Sequence, residues 1–344
     1  MNRIEAPLHL RQRARRAYLV MTVFALLILA VFIFSMNTGF IRLSPLDVFK
    51  TLIGFGTDKQ ELILYDFRLP RIVISVLIGM GMAVAGAIFQ GISRNPLADP
   101  GVLGINAGAG LAVTLFISFY PTTASAPVYL MPVLALLGAA GAATLIYVLS
   151  YKRNYGLLPI RMVLVGIAVA AGINAAMIVL QLRLRPENFQ MLQIWLVGNI
   201  WGTSWKYVLA LLPWLIVLLP YVFLKARALN VLNLGDQTAT GLGTPLERSR
   251  LGLLAAAVGL TGSCVAVGGG ISFVGLIAPH LARRLVGPKH EYLLPASALA
   301  GGLLVILGDT LGRWILQPAE IPTGIVVAII GAPYFLYLLT KSRI

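Results

Sequence analysis

Long apolar runs separated by short polar connections follow one another along almost the whole chain. A helix needs about 20 residues to cross a hydrocarbon core, and most of the runs approach or exceed that length. The runs are continuous, whereas the strands of a membrane β-barrel alternate over about 10 residues, so helices are expected to satisfy the backbone in lipid. The pattern predicts an all-α integral membrane protein with about ten transmembrane helices in one domain, residues 1–344, with spans at 18–35, 72–92, 101–120, 127–151, 162–182, 207–224, 251–271, 272–285, 292–308 and 321–340.

Composition excludes a soluble domain, because 58% of the residues are hydrophobic, 11% are charged and the mean hydropathy is +0.88. The net charge of +15 would suggest nucleic acid or acidic lipid as a partner of a soluble protein. With a cytoplasmic N-terminus and ten crossings, however, 18 of the 27 Lys and Arg residues fall on the cytoplasmic side or flank it. This bias is the positive-inside rule, so the charge indicates topology and we predict no nucleic-acid partner.

The N-terminal segment 1–17 carries four arginines just before the first span, Arg11, Arg13, Arg15 and Arg16. A signal peptide has a similar start, but the apolar run here is about 18 residues long and no clear small-residue cleavage site follows it. We therefore predict a retained first helix, a cytoplasmic segment 1–17 and, after an even number of spans, a cytoplasmic C-terminus.

Three connections are long enough to hold structure of their own. In 37–69, Ser44 and Pro45 form a helix start signal that predicts a short surface helix. Segment 183–206 holds three tryptophans that suit a membrane interface and predicts a half-inserted helix. Segment 225–250 predicts a short helix capped by Asp236, followed by a capping box over 244–247 with Pro245 at the first helical position, which together would make a rigid cytoplasmic knob.

The sequence holds little that could supply energy or catalysis. A P-loop needs a Gly-Lys-Ser/Thr sequence, and none of the seven lysines follows a glycine. Ionisable residues lie near predicted helix ends rather than at mid-membrane, which disfavours an ion-coupled secondary transporter, the second hypothesis. An integral membrane enzyme is the third, but no cluster of His, Cys and carboxylates supports it. We expect that this chain is no enzyme and that it takes its energy from a partner.

Two residues invite a metal or redox interpretation. His280 lies in the weakest span, 272–285, but no second His or carboxylate stands at ligand spacing, so a structural role is predicted. Cys264 is the one cysteine and lies inside a span, which excludes an intrachain disulfide and predicts packing. We predict no metal site.

Five sequence motifs are together typical of one family. They are a small-residue helix, tight polar turn and second helix at 86–104, Arg-Leu-Pro-Arg at 68–71, Asn-Ala-Gly-Ala-Gly at 106–110, Ser-Phe-Val-Gly-Leu-Ile-Ala-Pro-His at 272–280 and Gly-Asp-Thr-Leu-Gly-Arg at 308–313. Over nearly its whole length the chain resembles the permease subunits of type II ATP-binding-cassette (ABC) importers for iron-siderophores, haem and vitamin B12. The resemblance implies two inverted halves and a pathway between two permease subunits.

The resemblance also implies partners and a location. They are a second permease subunit, identical or paralogous, ABC ATPase subunits that hold ATP and Mg²⁺, an extracytoplasmic solute-binding protein and membrane lipid. The chain itself would bind no cofactor. It would lie in the bacterial cytoplasmic (inner) membrane as a multi-pass protein. Most members of the family carry iron-siderophores, so a ferric siderophore is favoured over vitamin B12 or haem as the substrate.

Site residues follow from the same resemblance. Arg68, Arg71 and Arg313 match the arginines that dock glutamates of the binding protein, and interface anchoring is the alternative for each. The cytoplasmic gate falls on Pro159 and Ile160, an apolar pair where family members have small polar residues. The residues that match the loop inserted into a cleft of the ATPase, for which an ordinary surface loop is the alternative, are Leu234, Gly235, Asp236, Ala239, Leu242 and Gly243.

Two polar residues of the fifth span, Asn174 and Gln181, are candidates for the pathway wall. A neutral, weakly binding wall would suit a bulky solute that has to leave again.

Overall fold

The computed structural model describes residues 8–39, 41, 43–101, 104–120, 129–153, 156–243 and 245–341. The helices are α1 (Leu8–Asn37), α2 (Pro45–Leu52), α3 (Asp58–Glu61), a π-helix (Leu62–Arg68), α4 (Leu69–Ser93), α5 (Ile105–Phe119), α6 (Leu130–Ser150), α7 (Pro159–Gln181), α8 (Pro186–Val197), α9 (Trp205–Leu224), α10 (Ala226–Asn233), α11 (Asp236–Gly241), α12 (Leu246–Gly268), α13 (Val274–Val286), α14 (His290–Ile315) and α15 (Thr323–Lys341). A two-stranded antiparallel hairpin, β1 (Tyr151–Lys152) and β2 (Gly156–Leu157), joins α6 to α7.

Seven helical segments of the described chain are long and apolar enough to cross a membrane: α1, α3 with the π-helix and α4, α6, α7, α9, α12 and α14. The shorter apolar helices α5 and α15 and the 13-residue α13 complete the predicted set. The all-α prediction of about ten spans is therefore confirmed, and α13 is the weakest of them by length, as the sequence indicated.

The helix α14 is longer than the predicted ninth span. The ninth span was predicted at 292–308, but the helix continues to Ile315. Hydropathy alone would place these two charged residues outside the helix. Asp309 and Arg313 lie four residues apart in this extension and pair at 3.1 Å, so each neutralises the charge of the other.

The core of the bundle is α4, whose spanning segment is 78% buried. It packs against α9, α12, α13 and α14. Glycines allow the backbones to meet directly: a Cβ added to Gly79 would lie 2.2 Å from the carbonyl oxygen of Gly301, and one added to Gly86 would lie 1.9 Å from that of Gly275. Such close approach stabilises membrane helices through van der Waals contact.

In contrast to α4, the helix α7 is largely uncovered by the rest of the chain, with 11% of its spanning segment buried. Its exposed side chains include the apolar Ile160 and Leu164 and the polar Asn174. A span with so little covering inside its own chain contacts lipid or another subunit.

Helices are present in the two connections, 37–69 and 183–206, for which the sequence predicted a surface helix and a half-inserted helix. The helix α2 begins after Ser44, whose hydroxyl accepts from the Asp47 amide while the Asp47 carboxylate accepts from the Ser44 amide, a capping box. The helix α8 lies within the tryptophan-rich segment 183–206.

The predicted caps of the 225–250 segment are wrong. Gly235, with φ of +106°, is the N-cap of α11, and the Asp236 side chain turns to two arginines instead. Pro245 is the N-cap of α12, without a side-chain cap, and Thr244 lies outside the described residues. Glu247 lies against the hairpin, where a Cβ added to Gly156 would be 2.2 Å from its Oε1 atom, rather than folding back on the helix start.

Candidate functional site: charged clusters at two ends of the helix bundle

One buried ion cluster lies where α4 begins and α14 ends, here named the Asp309 end. Asp309 accepts from Arg71 Nε at 2.8 Å through one oxygen and from Arg313 Nε at 3.1 Å through the other. Arg71 also contacts Glu320 of the α14–α15 connection at 2.6 Å. The Asp309 side chain is fully buried and both arginine side chains are less than a tenth exposed. The cluster ties α4 and α14 to the start of α15, where Thr323 donates to Asp309 at 3.2 Å.

Arg68 lies at the same end but has a different environment. It ends the π-helix, is 6% exposed and donates to the carbonyl oxygens of Met36 and Ile41. Among the described residues it forms no ion pair within 4.0 Å. The Asp309 end thus holds three buried arginines, Arg68, Arg71 and Arg313. Asp309 pairs with Arg71 and Arg313, and Glu320 pairs with Arg71.

The three predicted docking arginines are therefore brought together, but as buried side chains. Isolated buried charges are costly and are retained when paired or hydrogen-bonded, and Arg313 adds contacts to the carbonyl oxygen of Thr38 at 3.3 Å and to Ser35 Oγ. They hold α1, α4 and α14 together, a structural role that the sequence analysis did not assign to them. Their role in docking stays a prediction.

A second ion cluster lies where α4 ends and α12 begins, here named the Asp236 end. One Asp236 oxygen accepts from Arg250 Nη2 at 2.5 Å and from Arg94 Nη2. Arg94 follows α4 in a left-handed conformation, with φ of +54°, and also donates to the Leu232 carbonyl at 3.2 Å. Arg250 is 1% exposed and donates to the Leu157 carbonyl of the hairpin at 3.2 Å.

Burial of the Asp236 carboxyl alone would raise its pKa. Hydrogen bonding and the positive charge of Arg250, together with Arg94, outweigh that effect and lower the pKa below its ordinary value of 3.8. The carboxylate is therefore ionised at neutral pH and stays paired.

The short helices α10 and α11 form a knob on this support, comprising residues 226–243. Its buried side includes Leu229, Leu232 and Ala239, whereas Leu234 and Leu242 are 61% and 62% exposed. The chain enters and leaves α11 through Gly235 and Gly243, both with positive φ. The knob thus holds two apolar side chains outward on a base that ion pairs fix to α4 and α12.

Asn230 braces the knob at a second point. Its Oδ1 atom accepts from the His290 backbone amide at 2.9 Å and lies 2.8 Å from His290 Nδ1, while its Nδ2 donates to Glu291 at 2.7 Å. This contact joins α10 to the start of α14. Sequence reasoning missed it because the partners are 60 residues apart and no local motif links them.

The predicted gate and pathway residues lie along α7 and do not form a cluster. Pro159 is the first residue of α7, and Ile160 beside it is 77% exposed. Asn174 is exposed, and Gln181 accepts from Gln193 of α8 at 3.1 Å.

The structure places His280 and Cys264 in packed surroundings. The His280 ring meets the Tyr334 ring edge to face, with centroids 6.0 Å apart. Cys264 is buried, and its sulfur lies 2.5 Å from where a Cβ on Gly81 would be. Within the described ranges, no three His, Cys, Asp or Glu side chains are grouped so as to hold a metal ion.

Comparison with known proteins agrees with this architecture. The model of the FecCD transport family matches residues 26–341. FhuG of Bacillus subtilis, an iron(3+)-hydroxamate import system permease protein, is 50% identical over 97% of this chain and 100% of its own length. FeuC of the same organism, an iron-uptake system permease protein, is 42% identical over 93% of this chain and 97% of its own.

A solved structure gives the same result for the fold. A metal-chelate-type ABC transporter in an inward-facing conformation superposes with a TM-score of 0.81 at 29% identity, covering 94% of this chain and 99% of that one. The ten-span bundle is thus the permease fold of a type II importer. The chain belongs to the FecCD transport family and is a permease of an ABC importer of the iron-chelate class.

Proposed function

We propose that this permease carries a ferric siderophore into the cytoplasm, with a hydroxamate chelate favoured over haem or vitamin B12. The full-length relative named for iron(3+)-hydroxamate import supports the substrate class. The observation that carries the mechanism is the knob: Leu234 and Leu242 project from a base that Asp236 fixes to α4 and α12. Access to the pathway alternates between the two sides as partner ATPases press on this base.

Energy comes from those partners, which hold ATP and Mg²⁺, while this chain binds no cofactor. None of the seven lysines follows a glycine, so no phosphate-binding loop is available for hydrolysis. The knob, the exposed apolar element at the Asp236 end, is the surface that enters a cleft of the ATPase.

The purified chain should show no ATP hydrolysis, whereas its complex with the cognate ATPase should hydrolyse ATP and co-purify after detergent extraction. The measurement is phosphate release by the isolated chain and by the complex at equal permease concentration. A complex whose ATPase lacks its P-loop lysine gives the background of phosphate release from contaminating enzymes. Phosphate release by the isolated chain above that background would contradict the assignment.

A second permease subunit, identical or paralogous, covers α7. An amide side chain exposed within a span would have its polar group desolvated in lipid at a cost of about 2 kcal/mol or more, which a subunit contact or a watery pathway removes. Asn174 is such a residue. The pathway then lies between the two subunits, with Asn174 and Gln181 along its wall and Pro159 and Ile160 at its cytoplasmic gate.

Cysteine cross-linking tests this pairing. On a Cys264→Ser background, Asn174→Cys should give a permease dimer in membranes with a short cross-linker that carries two maleimide groups. Leu209→Cys on α9, where the leucine is 64% exposed, is the matched control and should remain monomeric. Equal cross-linking of the two variants would place the subunit contact elsewhere.

The Asp309 end faces outward in this proposal, in a bacterial cytoplasmic membrane with both termini cytoplasmic. The positive-inside bias supports that orientation. The solute-binding protein docks there through acidic side chains. The cluster of Arg68, Arg71 and Arg313 supports this, as does the fact that Arg68 forms no ion pair in the described part of the chain.

Arg68→Gln should weaken binding-protein affinity more than about tenfold and flatten its dependence on salt, since an interfacial charge pair is lost. Arg68→Lys should keep the salt dependence. Lys59→Gln removes a charge from an exposed side chain at the same end and is the control. If the salt dependence of binding is unchanged in Arg68→Gln, Arg68 does not contact the binding protein and has a structural role only.

A further inference from the structure

Arg250 is a buried charge that contacts both the knob and the hairpin that precedes α7. It lies in the first turns of α12 and is 1% exposed. Its Nη2 atom donates to Asp236 of the knob at 2.5 Å, and its Nη1 atom donates to the carbonyl oxygen of Leu157 at 3.2 Å. Its Nε atom is buried and has no hydrogen-bond partner in the described part of the chain. The guanidinium group is therefore held through its two Nη atoms, one on each element.

The shape of a guanidinium group makes these two contacts move together. The group is planar, and its donors point in fixed directions. Because the side chain is buried, water cannot replace a contact that is lost, and a buried charge with one partner fewer is costly. A displacement of Asp236 therefore shifts the guanidinium group and, through it, the Leu157 carbonyl.

The joint between the hairpin and α7 is short and stiff. Leu158 alone separates Leu157 from Pro159, the first residue of α7. The proline ring fixes the φ angle of Pro159 and favours an extended preceding residue, as Leu158 is here with φ of −90° and ψ of 113°. Ile160, the second gate residue, follows directly. A shift at Leu157 therefore reaches the first turn of α7 without being absorbed by a flexible linker.

The helix α7 is able to respond to such a shift. Only 11% of its spanning segment is buried, and within the chain it packs chiefly against α5 and α6. Strand β1 follows α6 directly and pairs with β2, so the hairpin is fixed to α6 at one end. At its other end, Arg250 joins β2 to α12 and to the knob. The end of the hairpin that leads into α7 is thus the end that the knob can move.

Two neighbouring side chains link other pairs of elements. Arg94 also binds the Asp236 carboxylate, but it follows α4 and so joins the knob to that helix. Glu247 lies against Gly156, which joins the hairpin to α12. Arg250 meets the hairpin and the knob with one side chain.

We propose that Arg250 is a positioning residue that couples the knob to the cytoplasmic gate. When partner ATPases displace the knob, the displacement passes from Asp236 through Arg250 to Leu157. From there it reaches the first turn of α7, where Pro159 and Ile160 lie. The inference rests on the proposed function, because that function makes the knob the ATPase contact and residues 159–160 the gate.

The test uses proteoliposomes that hold the full permease and its ATPase, with binding protein outside and ATP inside. Arg250→Met replaces the guanidinium group by an apolar chain that can make neither contact, while Arg94 still pairs with Asp236. Uptake of ferric hydroxamate per ATP hydrolysed should fall about tenfold, as expected when hydrogen bonds to a charged group are lost, while affinity for the ATPase is unchanged. Arg248→Met is the matched control, because Arg248 lies near Arg250 on α12 but is exposed, and it should keep the wild-type ratio.

Two further measurements separate coupling from stability. Arg250→Lys keeps the buried positive charge but lacks the planar fork of donors, so its ratio of uptake to hydrolysis should lie between those of the wild type and Arg250→Met. A solvent-sensitive fluorophore at Ile160→Cys, on a Cys264→Ser background, reports on the gate itself. Its emission should change when vanadate traps the ATPase in the wild type and in Arg248→Met, and should stay constant in Arg250→Met.

A wild-type ratio of uptake to hydrolysis in Arg250→Met would overturn the coupling role, and so would an equal loss in Arg248→Met. Loss of ATPase binding in Arg250→Met would show that this arginine only holds the knob in place, which would overturn it as well. If Arg250→Met fails to insert, a wild-type ratio and gate response in Arg250→Lys would have the same meaning. Absence of ATP-dependent uptake in the wild type would contradict the proposed function itself, whereas an unchanged ratio in the variant contradicts this inference alone.

Discussion

Replacing Asp309 with alanine should lower the free energy of unfolding by about 3 to 5 kcal/mol, because it leaves two buried guanidinium groups without their shared counterion. Arg71 and Arg313 both reach this carboxylate, from α4 and from one turn further along α14. The expected observation is a large drop in the midpoint of thermal unfolding of the detergent-solubilised chain.

Asp66→Ala is the control, since Asp66 lies near the same end and is exposed. Its effect should stay within about 0.5 kcal/mol, as for most surface substitutions. Adding Arg313→Ala to Asp309→Ala should cost less than the two single losses together, because the second change removes one of the unpaired charges. An unfolding midpoint for Asp309→Ala equal to that of the wild type would contradict the structural role of the cluster.

Leu242→Asp should weaken ATPase binding by more than about tenfold while the bundle stays folded. Burying a leucine in a cleft contributes about 1.5 to 3 kcal/mol, and an aspartate would in addition have to be desolvated there. Leu46→Asp on α2 is matched closely, because both leucines are 62% exposed and lie at opposite ends of the bundle. The measurement is co-purification of the ATPase with each variant and its binding affinity in detergent. Equal affinity of the two variants for the ATPase would show that the knob is not part of the contact.

Asp236 is a poorer probe of the same contact. Its carboxylate fixes the knob to Arg94 and Arg250, so Asp236→Lys would change the support as well as the surface. Gly243→Trp is also ambiguous, because Gly243 has φ of +71°, a conformation that side chains with a Cβ rarely adopt. The exposed leucines avoid both difficulties.

Hydropathy and motif spacing predicted most of the fold. The spans, the surface helix after Ser44 and the helix in the tryptophan-rich segment all follow from local pattern. The end of α14 was missed because its two charges cancel each other within the helix. The pair was visible in the sequence, since Asp309 and Arg313 are four residues apart on a helix.

The site was less predictable because its contacts are distant in sequence. Arg71 and Asp309 are 238 residues apart, and Arg94 and Asp236 are 142 residues apart. The resemblance selected three arginines that the structure brings together, but their burial depends on α1, α4 and α14 meeting at one end. Asp236 looked like a helix cap locally, and only the packing of α4 and α12 around it shows that its partners are arginines.

Import of a ferric siderophore with energy from partner ATPases can be measured with purified components. The most direct measurement is uptake of a radiolabelled ferric hydroxamate into proteoliposomes that hold the permease and its ATPase, with binding protein outside and ATP inside. We expect uptake that needs both ATP and the binding protein and persists when a protonophore collapses the proton gradient. Uptake that continues without ATP and stops with the protonophore would contradict it and indicate an ion-coupled carrier.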